Sequence, residues 1–378
     1  MYPALAVLQG VLTNYGLNSG NFAEPRRHLT SISENDQNAV LWVGSEGGME
    51  VGLVERAGVQ FTSIPAAGLH GVGVRALPGN LYQLERGYRK SKRILMEFQP
   101  DVLFFTGGYV SVPMAFAGRK KPSLVFIPDV EPGLALKTIT RFADRVALST
   151  EDSREFFEDK PGLAVTGYPT RSNLLSWDKN EAKETLNLDS DVPTLLVFGG
   201  SKGARSINFA LLNALPELLP DMQIIHISGE LDWEKVQTEK ENLAISSDYK
   251  SRYHPFPYLH SRMGAALTAA DMVVSRAGAS CLGEFPLFGL PAILIPYPHA
   301  WKYQQTNAQY LSRCGAALVL QDSDLNHGLS RLVREIMKDP DRRDNMSHAM
   351  RSLARPEAAA SLAAMLVELA NIQNPERN

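Results

Sequence analysis

Short apolar runs rich in β-branched and aromatic residues alternate with stretches of helical period along almost the whole chain, and this alternation limits what it can fold into. Val40–Gly44, Phe61–Pro65, Val102–Thr106, Ser123–Pro128 and Arg145–Ser149 form one series. Thr194–Phe198, Gln223–Ser228, Met272–Ser275, Ala292–Pro296 and Ala317–Gln321 form a second. Runs this apolar read as strands covered on both faces, and the helical stretches between them supply the crossovers that parallel strands require. The expectation is an α/β chain with two doubly wound domains, the first series making one parallel sheet. At 378 residues the chain exceeds one comfortable core, which fits two domains joined near Thr166–Asp191. Gly16–Gln37 is polar, shows neither period and reads as a surface excursion, whereas Pro356–Ala370 reads as an amphipathic Ala/Leu helix.

Several function classes drop out. Charged residues make up 21% with a net charge of −3, so nothing global points to nucleic acid. Cys281 and Cys314 stand in apolar helical contexts without metal-ligand spacing, which argues against a disulfide scaffold. No apolar run approaches the ~20 residues of a membrane helix. The eight histidines lack ligand spacing. The acidic pairs Asp189-Ser-Asp191 and Asp322-Ser-Asp324 read as turn or capping residues rather than metal ligands. Lys202 is not part of a G-x-x-x-x-G-K-[ST] loop, and no G-x-G-x-x-G is present.

What remains is a set of small-residue turns where a strand meets a helix. Phe198-Gly-Gly-Ser-Lys-Gly-Ala-Arg205 follows the run Thr194–Phe198 and opens the helical pattern Ser206–Leu215. Amides at a helix start have no intrahelical partner, the helix dipole adds positive potential, and glycine lets an anion approach the backbone. A phosphate site is the expectation, with tight packing as the plain alternative. Thr106-Gly-Gly-Tyr-Val-Ser-Val-Pro113 repeats the arrangement in the first half, where phosphate binding and helix packing weigh equally. Thr166-Gly-Tyr-Pro-Thr-Arg171 carries an arginine whose planar fork suits a diphosphate, or a linker arginine facing solvent. Ser275-Arg-Ala-Gly-Ala-Ser280 opens a helix expected to hold Glu284 on its second turn and to close at Gly289-Leu-Pro291. A carboxylate there can accept both hydroxyls of a ribose, or simply complement the dipole. Gln304-Gln-Thr-Asn307, after Pro296-Tyr-Pro-His299, offers amides for sugar hydroxyls or a solvated helix face. Arg75–Arg93 carries Arg75, Arg86, Arg89, Lys90, Lys92 and Arg93 interleaved with Leu77, Leu81, Tyr82, Leu84 and Tyr88. Such a helix can lie on an anionic membrane or be an ordinary solvated one.

Taken together these motifs resemble the MurG family of two-domain GT-B glycosyltransferases, which move N-acetylglucosamine (GlcNAc) from UDP-GlcNAc to the undecaprenyl-diphosphate-linked muramyl peptide, lipid I. The resemblance runs from Tyr2-Pro-Ala-Leu-Ala-Val7 to the C-terminal helix and weakens in Gly16–Gln37. It implies two Rossmann-like domains facing a central cleft: 1–170 for the acceptor and membrane side, 171–355 for the UDP-sugar, and a helix within 356–378 packing back toward the first. It implies that Ser201, Gly203 and the following amides hold the UDP diphosphate with Arg171 nearby. Glu284 would grip the ribose, the backbone around Leu259 the uracil, and Gln304 and Gln305 the GlcNAc hydroxyls. Gly107, Gly108 and Tyr109 would cradle the acceptor diphosphate, and Leu77–Tyr88 would touch the membrane. The reaction implied is an inverting, β-1,4-forming displacement in peptidoglycan synthesis at the cytoplasmic face of a bacterial membrane. It needs a base at the acceptor hydroxyl and stabilisation of departing UDP, with no metal and no cofactor expected.

Two departures bear on that expectation. The family begins with a strand and a Gly-Gly-Thr-Gly-Gly-His loop immediately before the Tyr-Pro-Ala-Leu-Ala-Val segment, and here Met1 stands where that loop ends. The first strand, a phosphate loop and the family's candidate catalytic histidine are therefore missing, and the expectation is a truncated or misassigned start. The second departure is Pro128-Asp-Val-Glu-Pro-Gly133, where the family has His-Glu-Gln-Asn before Pro-Gly. By register Asp129 falls at the asparagine that contacts the sugar region, which leaves Asp129 and Glu131 as weak candidates for the base. Transfer to another lipid such as diacylglycerol, and UDP-sugar binding without turnover, are the alternatives.

Overall fold

The computed structural model of the protein describes residues 2–14, 39–48, 51–68, 77–157, 160–200, 203–242, 245–298 and 302–373. The surface excursion expected at Gly16–Gln37 lies outside them. The chain divides into two compact units, one comprising Met1–Pro128, Pro132–Arg171 and Glu357–Asn378, the other Asp129–Glu131 and Ser172–Pro356.

The first unit begins with helix α1 (Tyr2–Asn14) and then alternates strand and helix: β1 (Leu41–Ser45), α2 (Val51–Arg56), β2 (Gln60–Ile64), α3 (Leu77–Phe98), β3 (Leu103–Phe105), α4 (Ser111–Ala117), β4 (Ser123–Ile127), α5 (Leu134–Ile139), β5 (Arg145–Leu148) and β6 (Leu163–Val165). The single sheet expected here does not form among the described residues. Among the described residues β1 pairs in parallel with β2 as a two-stranded sheet, while β3, β4, β5 and β6 make a separate four-stranded one. Apolar content marks a strand, but its neighbours depend on where the crossovers set it down. The 22-residue α3, which packs on β2, stands between β2 and β3 in the chain, and β3 is only three residues long. The β1 side chains still divide by pleat, Val43 packing on the cluster of Phe105, Val125 and Ile127 and Trp42 on that of Val54 and Val59. Gly10 of α1 lies so close to the C-terminal helix that a Cβ there would sit 3.1 Å from the Ala359 carbonyl oxygen.

The second unit holds α6 (Lys179–Thr185), β7 (Thr194–Phe198), α7 (Arg205–Leu218), β8 (Gln223–Ile227), α8 (Trp233–Asn242), α9 (Ser247–Lys250), β9 (Tyr253–Phe256), α10 (Met263–Ala269), β10 (Met272–Ser275), α11 (Glu284–Phe288), β11 (Ala292–Leu294), α12 (Tyr303–Arg313), β12 (Ala317–Val319), α13 (Leu325–Met337) and α14 (Pro340–Ser352). The final helix, α15 (Ala358–Gln373), belongs to the first unit. Six parallel strands stand in the order β12-β11-β10-β7-β8-β9. Every residue of β7, β8 and β10 is buried. The pleat sends Leu196, Phe198, Ile225 and Val273 into one core and Leu195, Val197, Ile224 and Val274 into the other, the two-sided burial expected from such apolar runs. Burying a side chain of this size stabilises by about 1.5–3 kcal/mol. β9 is absent from the expected strand series because Tyr253-His-Pro-Phe256 does not read as one; it forms at the sheet edge, where a proline is tolerated.

Candidate functional site

The strand order of the second unit changes direction at one place. From β7 the chain winds outward through β8 and β9, then crosses back to β10 on the other side of β7 and winds outward through β11 and β12. Crossovers leaving β7 and β10 depart to opposite sides, which opens a crevice beyond the carboxyl ends of these two strands. After β7 the Gly203 amide donates to the Gly200 carbonyl at 3.0 Å in a glycine turn that leads into α7 at Ala204, and Arg276–Gly283 follows β10.

The turn after β7 is built on glycine for two separate reasons. Gly200 has φ +91° with open space around it, so conformation alone requires it. Gly203 has φ +76°, and a Cβ there would lie 2.2 Å from the Ser228 carbonyl oxygen. The turn is thus pressed onto the end of β8, and α7 starts immediately behind it. Ser201 and Lys202 lie outside the described residues.

Arg276 ties the strand ends together. Its buried guanidinium donates to Ser206 Oγ in the first turn of α7 at 2.8 Å and to Asp322 Oδ1 at 2.6 Å. It also donates to the Ile295 carbonyl at 3.3 Å and stacks over the Tyr297 ring at 5.3 Å. Asp322 is therefore an arginine partner, and Asp189 Oδ1 accepts the Asp191 amide in a local turn at 2.8 Å. No group of three or more His, Cys, Asp or Glu that could hold a metal occurs among the described residues.

Glu284 differs from expectation in its placement. A 3-10 turn, Ala279–Leu282, precedes Gly283, and Glu284 is the first residue of the short α11 rather than one on the second turn of a longer helix. The break at Gly283 separates the two pieces, and Gly289 closes α11 at φ +62° as the motif requires. Phe285 stacks edge-on against Phe198, with centroids 6.0 Å apart, which holds Glu284 near the residue that enters the glycine turn. Gln304 accepts the Tyr297 amide through Oε1 at 2.9 Å, and half-buried Gln305 follows it on α12. Leu259 is buried in the core, and its carbonyl accepts the Arg262 amide at 2.8 Å.

Asp129 and Glu131 group with the second unit, against the helix that bears the glutamines. Asn307 is fully buried; its Nδ2 donates to Asp129 Oδ1 at 2.8 Å and to the Ala277 carbonyl at 3.0 Å, while its Oδ1 accepts the Val130 amide. Glu131 Oε2 accepts from Thr306 Oγ1 at 3.3 Å. Burial raises the Asp129 pKa, and the Asn307 hydrogen bond opposes part of that rise.

The remaining candidates lie in the first unit. Gly107 and Gly108 have φ +120° and +85°, with nothing closer than 3.6 Å to a built Cβ, so backbone conformation and not close packing requires glycine there. Tyr109 is exposed, with its ring against Gly68. Arg171 stacks over the Tyr2 ring at 4.6 Å. Along α3, Leu81, Tyr82 and Met96 are 55%, 62% and 68% exposed, beside exposed Arg86, Arg89, Lys92 and Arg93. Gly87 and Ser91 face inward on the same helix. No helix among the described residues is long and apolar enough to cross a membrane.

Sequence reasoning assigned no role to Arg276, nor to the buried polar residues Asn208, His226, Ser228 and Asp232 behind the glycine turn. The available signal was a histidine inside the apolar run Gln223–Ser228 and an asparagine on the apolar stripe of Ser206–Leu215.

Residues 194–362 match the glycosyltransferase family 28 C-terminal domain and residues 32–148 the family 28 N-terminal domain. The chain is 37% identical to a UDP-N-acetylglucosamine--N-acetylmuramyl-(pentapeptide) pyrophosphoryl-undecaprenol N-acetylglucosamine transferase of Roseiflexus sp. (strain RS-1), over 98% of this chain and 92% of that one. It is 35% identical to the protein of the same description from Desulforamulus reducens, over 96% and 93%. Among solved structures it resembles Acinetobacter baumannii MurG with TM-score 0.69 and 22% identity, covering 97% of this chain and 95% of that one. A UDP-GlcNAc 2-epimerase from Neisseria meningitidis, bound to UDP-GlcNAc, shares the fold with TM-score 0.62 and 11% identity over 99% and 98% of the chains.

Proposed function

Because the chain belongs to the MurG family of GT-B glycosyltransferases, we propose that it moves GlcNAc from UDP-GlcNAc to the muramyl sugar of lipid I, forming lipid II for peptidoglycan. The observation that carries the reading to particular residues is the crevice at the β7/β10 switch, with the glycine turn on one side and Glu284 on the other.

In this reading the UDP diphosphate meets the amides at the start of α7, where the dipole of a 14-residue helix offsets its charge and that of the departing UDP. Glu284 accepts the ribose hydroxyls, the backbone at Leu259 meets the uracil, and Gln304 and Gln305 read the sugar. Arg171 adds a guanidinium for the diphosphate, and Gly107, Gly108 and Tyr109 take the acceptor diphosphate. Asp129 and Glu131 are the candidates for the base that removes the acceptor hydroxyl proton. The raised pKa of Asp129 suits that task, because a stronger base draws the proton more readily. Labelled transfer from UDP-GlcNAc to a lipid I analogue tests the reading. Product with UDP-GlcNAc alone supports it, and transfer only from UDP-galactose to diacylglycerol replaces it.

We also propose that α3 rests on an anionic membrane surface, its exposed Leu81 and Tyr82 entering the interface and its arginines and lysines meeting the headgroups. Replacing both with glutamate should lower binding to phosphatidylglycerol vesicles about tenfold in sedimentation while leaving UDP binding unchanged.

A further inference from the structure

A continuous run of buried polar side chains lies behind the glycine turn, and its hydrogen bonds admit one direction only. Asn208 Nδ2 donates both protons, to the Ser228 carbonyl at 2.9 Å and to Asp232 Oδ2 at 3.0 Å. Both partners are acceptors, so the amide orientation is settled and Oδ1 faces His226 Nε2 at 3.0 Å. Nε2 must then carry the imidazole proton. Nδ1 is left bare, and it accepts the Tyr253 hydroxyl proton at 2.7 Å. The sequence is Tyr253 to His226 to Asn208 to Asp232, and it closes on Arg205, whose Nε donates to Asp232 Oδ1 at 2.9 Å.

The run fits a neutral imidazole in a single tautomer. His226 is fully buried, and that burial drives its pKa down to about 3 against the weaker pull of Asp232. Both acceptors of Asn208 reach the turn. The Ser228 carbonyl that takes the Asn208 proton is the atom against which Gly203 is pressed. Asp232, 7% exposed, holds Arg205, the first residue of α7, whose side chain is 71% exposed.

We infer that His226 is a positioning residue for the donor, seating Gly203 and holding Arg205 at the head of α7 by supplying the donor that Asn208 Oδ1 needs while its Nδ2 holds Ser228 and Asp232. The inference rests on the proposed use of this turn for the UDP diphosphate. Without the imidazole, Asn208 Oδ1 is left buried with no donor, and the cost of that draws the side chain off the Ser228 and Asp232 contacts, loosening both Gly203 and Arg205. Tyr253 acts one step further back, by keeping the proton on Nε2.

The test compares His226→Leu, His226→Gln and Tyr253→Phe in the full chain, with UDP titrated calorimetrically, KM measured for both substrates, and thermal melts to establish the folded fraction. Leucine removes both hydrogen bonds, and UDP affinity and donor KM should worsen about tenfold while acceptor KM holds. Glutamine keeps one donor and one acceptor and should return donor affinity to within about twofold of wild type. Tyr253→Phe should weaken UDP about threefold, and with His226→Gln it decides the matter if the leucine variant does not fold. UDP binding at wild-type strength in folded Tyr253→Phe or His226→Leu overturns the inference, as does an equal shift of donor and acceptor KM. A wild-type chain that binds no UDP overturns the donor-site reading itself, a result separable from the other two.

Discussion

Glu284 and His226 carry the two sharpest residue-scale expectations. A carboxylate at the start of a five-residue helix has a dipole to complement, a role worth up to about 2 kcal/mol at a half-buried site such as this. Two charge-assisted hydrogen bonds to a ribose are worth more, so Glu284→Ala should raise donor KM about 10- to 100-fold with little change in melting temperature. Steady-state kinetics beside a melt separates the roles. For His226 the sign follows from its pKa, about 3 when folded and 6.5 when free. Below pH 6.5 the unfolded chain takes up a proton that the folded one refuses, so stability falls as pH drops from 6.5 toward 3, by about 1.4 kcal/mol per pH unit. His254, lowered to about 4 by burial and by Lys240, acts in the same direction. Urea unfolding between pH 4.5 and 6.5 should show His226→Gln with a shallower slope than wild type, by about one proton.

At the scale of the element, the turn between β7 and α7 is the part least tolerant of change. Gly203→Ala combines a left-handed backbone with a collision against the Ser228 carbonyl, and it should destabilise by about 2–4 kcal/mol in urea unfolding, with UDP affinity falling alongside. The turn was legible in the sequence because glycine in that spacing has a direct physical meaning, and β7, β8 and β10 were legible because two-sided burial leaves little room for polar residues. β9 was not, since an edge strand accepts the proline and histidine that disguise it. The partition of the first unit into two ladders was hidden for a different reason, because a run of apolar residues carries no mark of which strand will lie beside it. The Tyr253–His226–Asn208 run was hidden too. Each member comes from a different element, so its meaning arises only when β8, β9 and α7 are packed side by side.

For the molecule as a whole, two units with separate cores give a further expectation. The sheet with cores on both faces holds the glycine turn and Glu284, while the helix pair α1 and α15 covers part of the other unit. A ligand stabilises what it binds, so UDP at about 100 times its Kd adds about 2.7 kcal/mol. Scanning calorimetry should then show the transition of the second unit raised by about 5–10 °C and that of the first, which contributes only Arg171 to the donor, raised by less. Arg145 of β5 pairs with Glu368 of α15 at 2.8 Å, and Gly10 of α1 is closed in by Ala359. Both pairs are separated in the chain by Ser172–Pro356 of the second unit. A ribosome making this chain therefore completes the six-stranded sheet before it makes the helix that α1 needs. The half translated earliest therefore cannot complete its packing until the last helix emerges, and until then the apolar face of α1, with Ala6 and Val7, depends on whatever shelters a nascent chain.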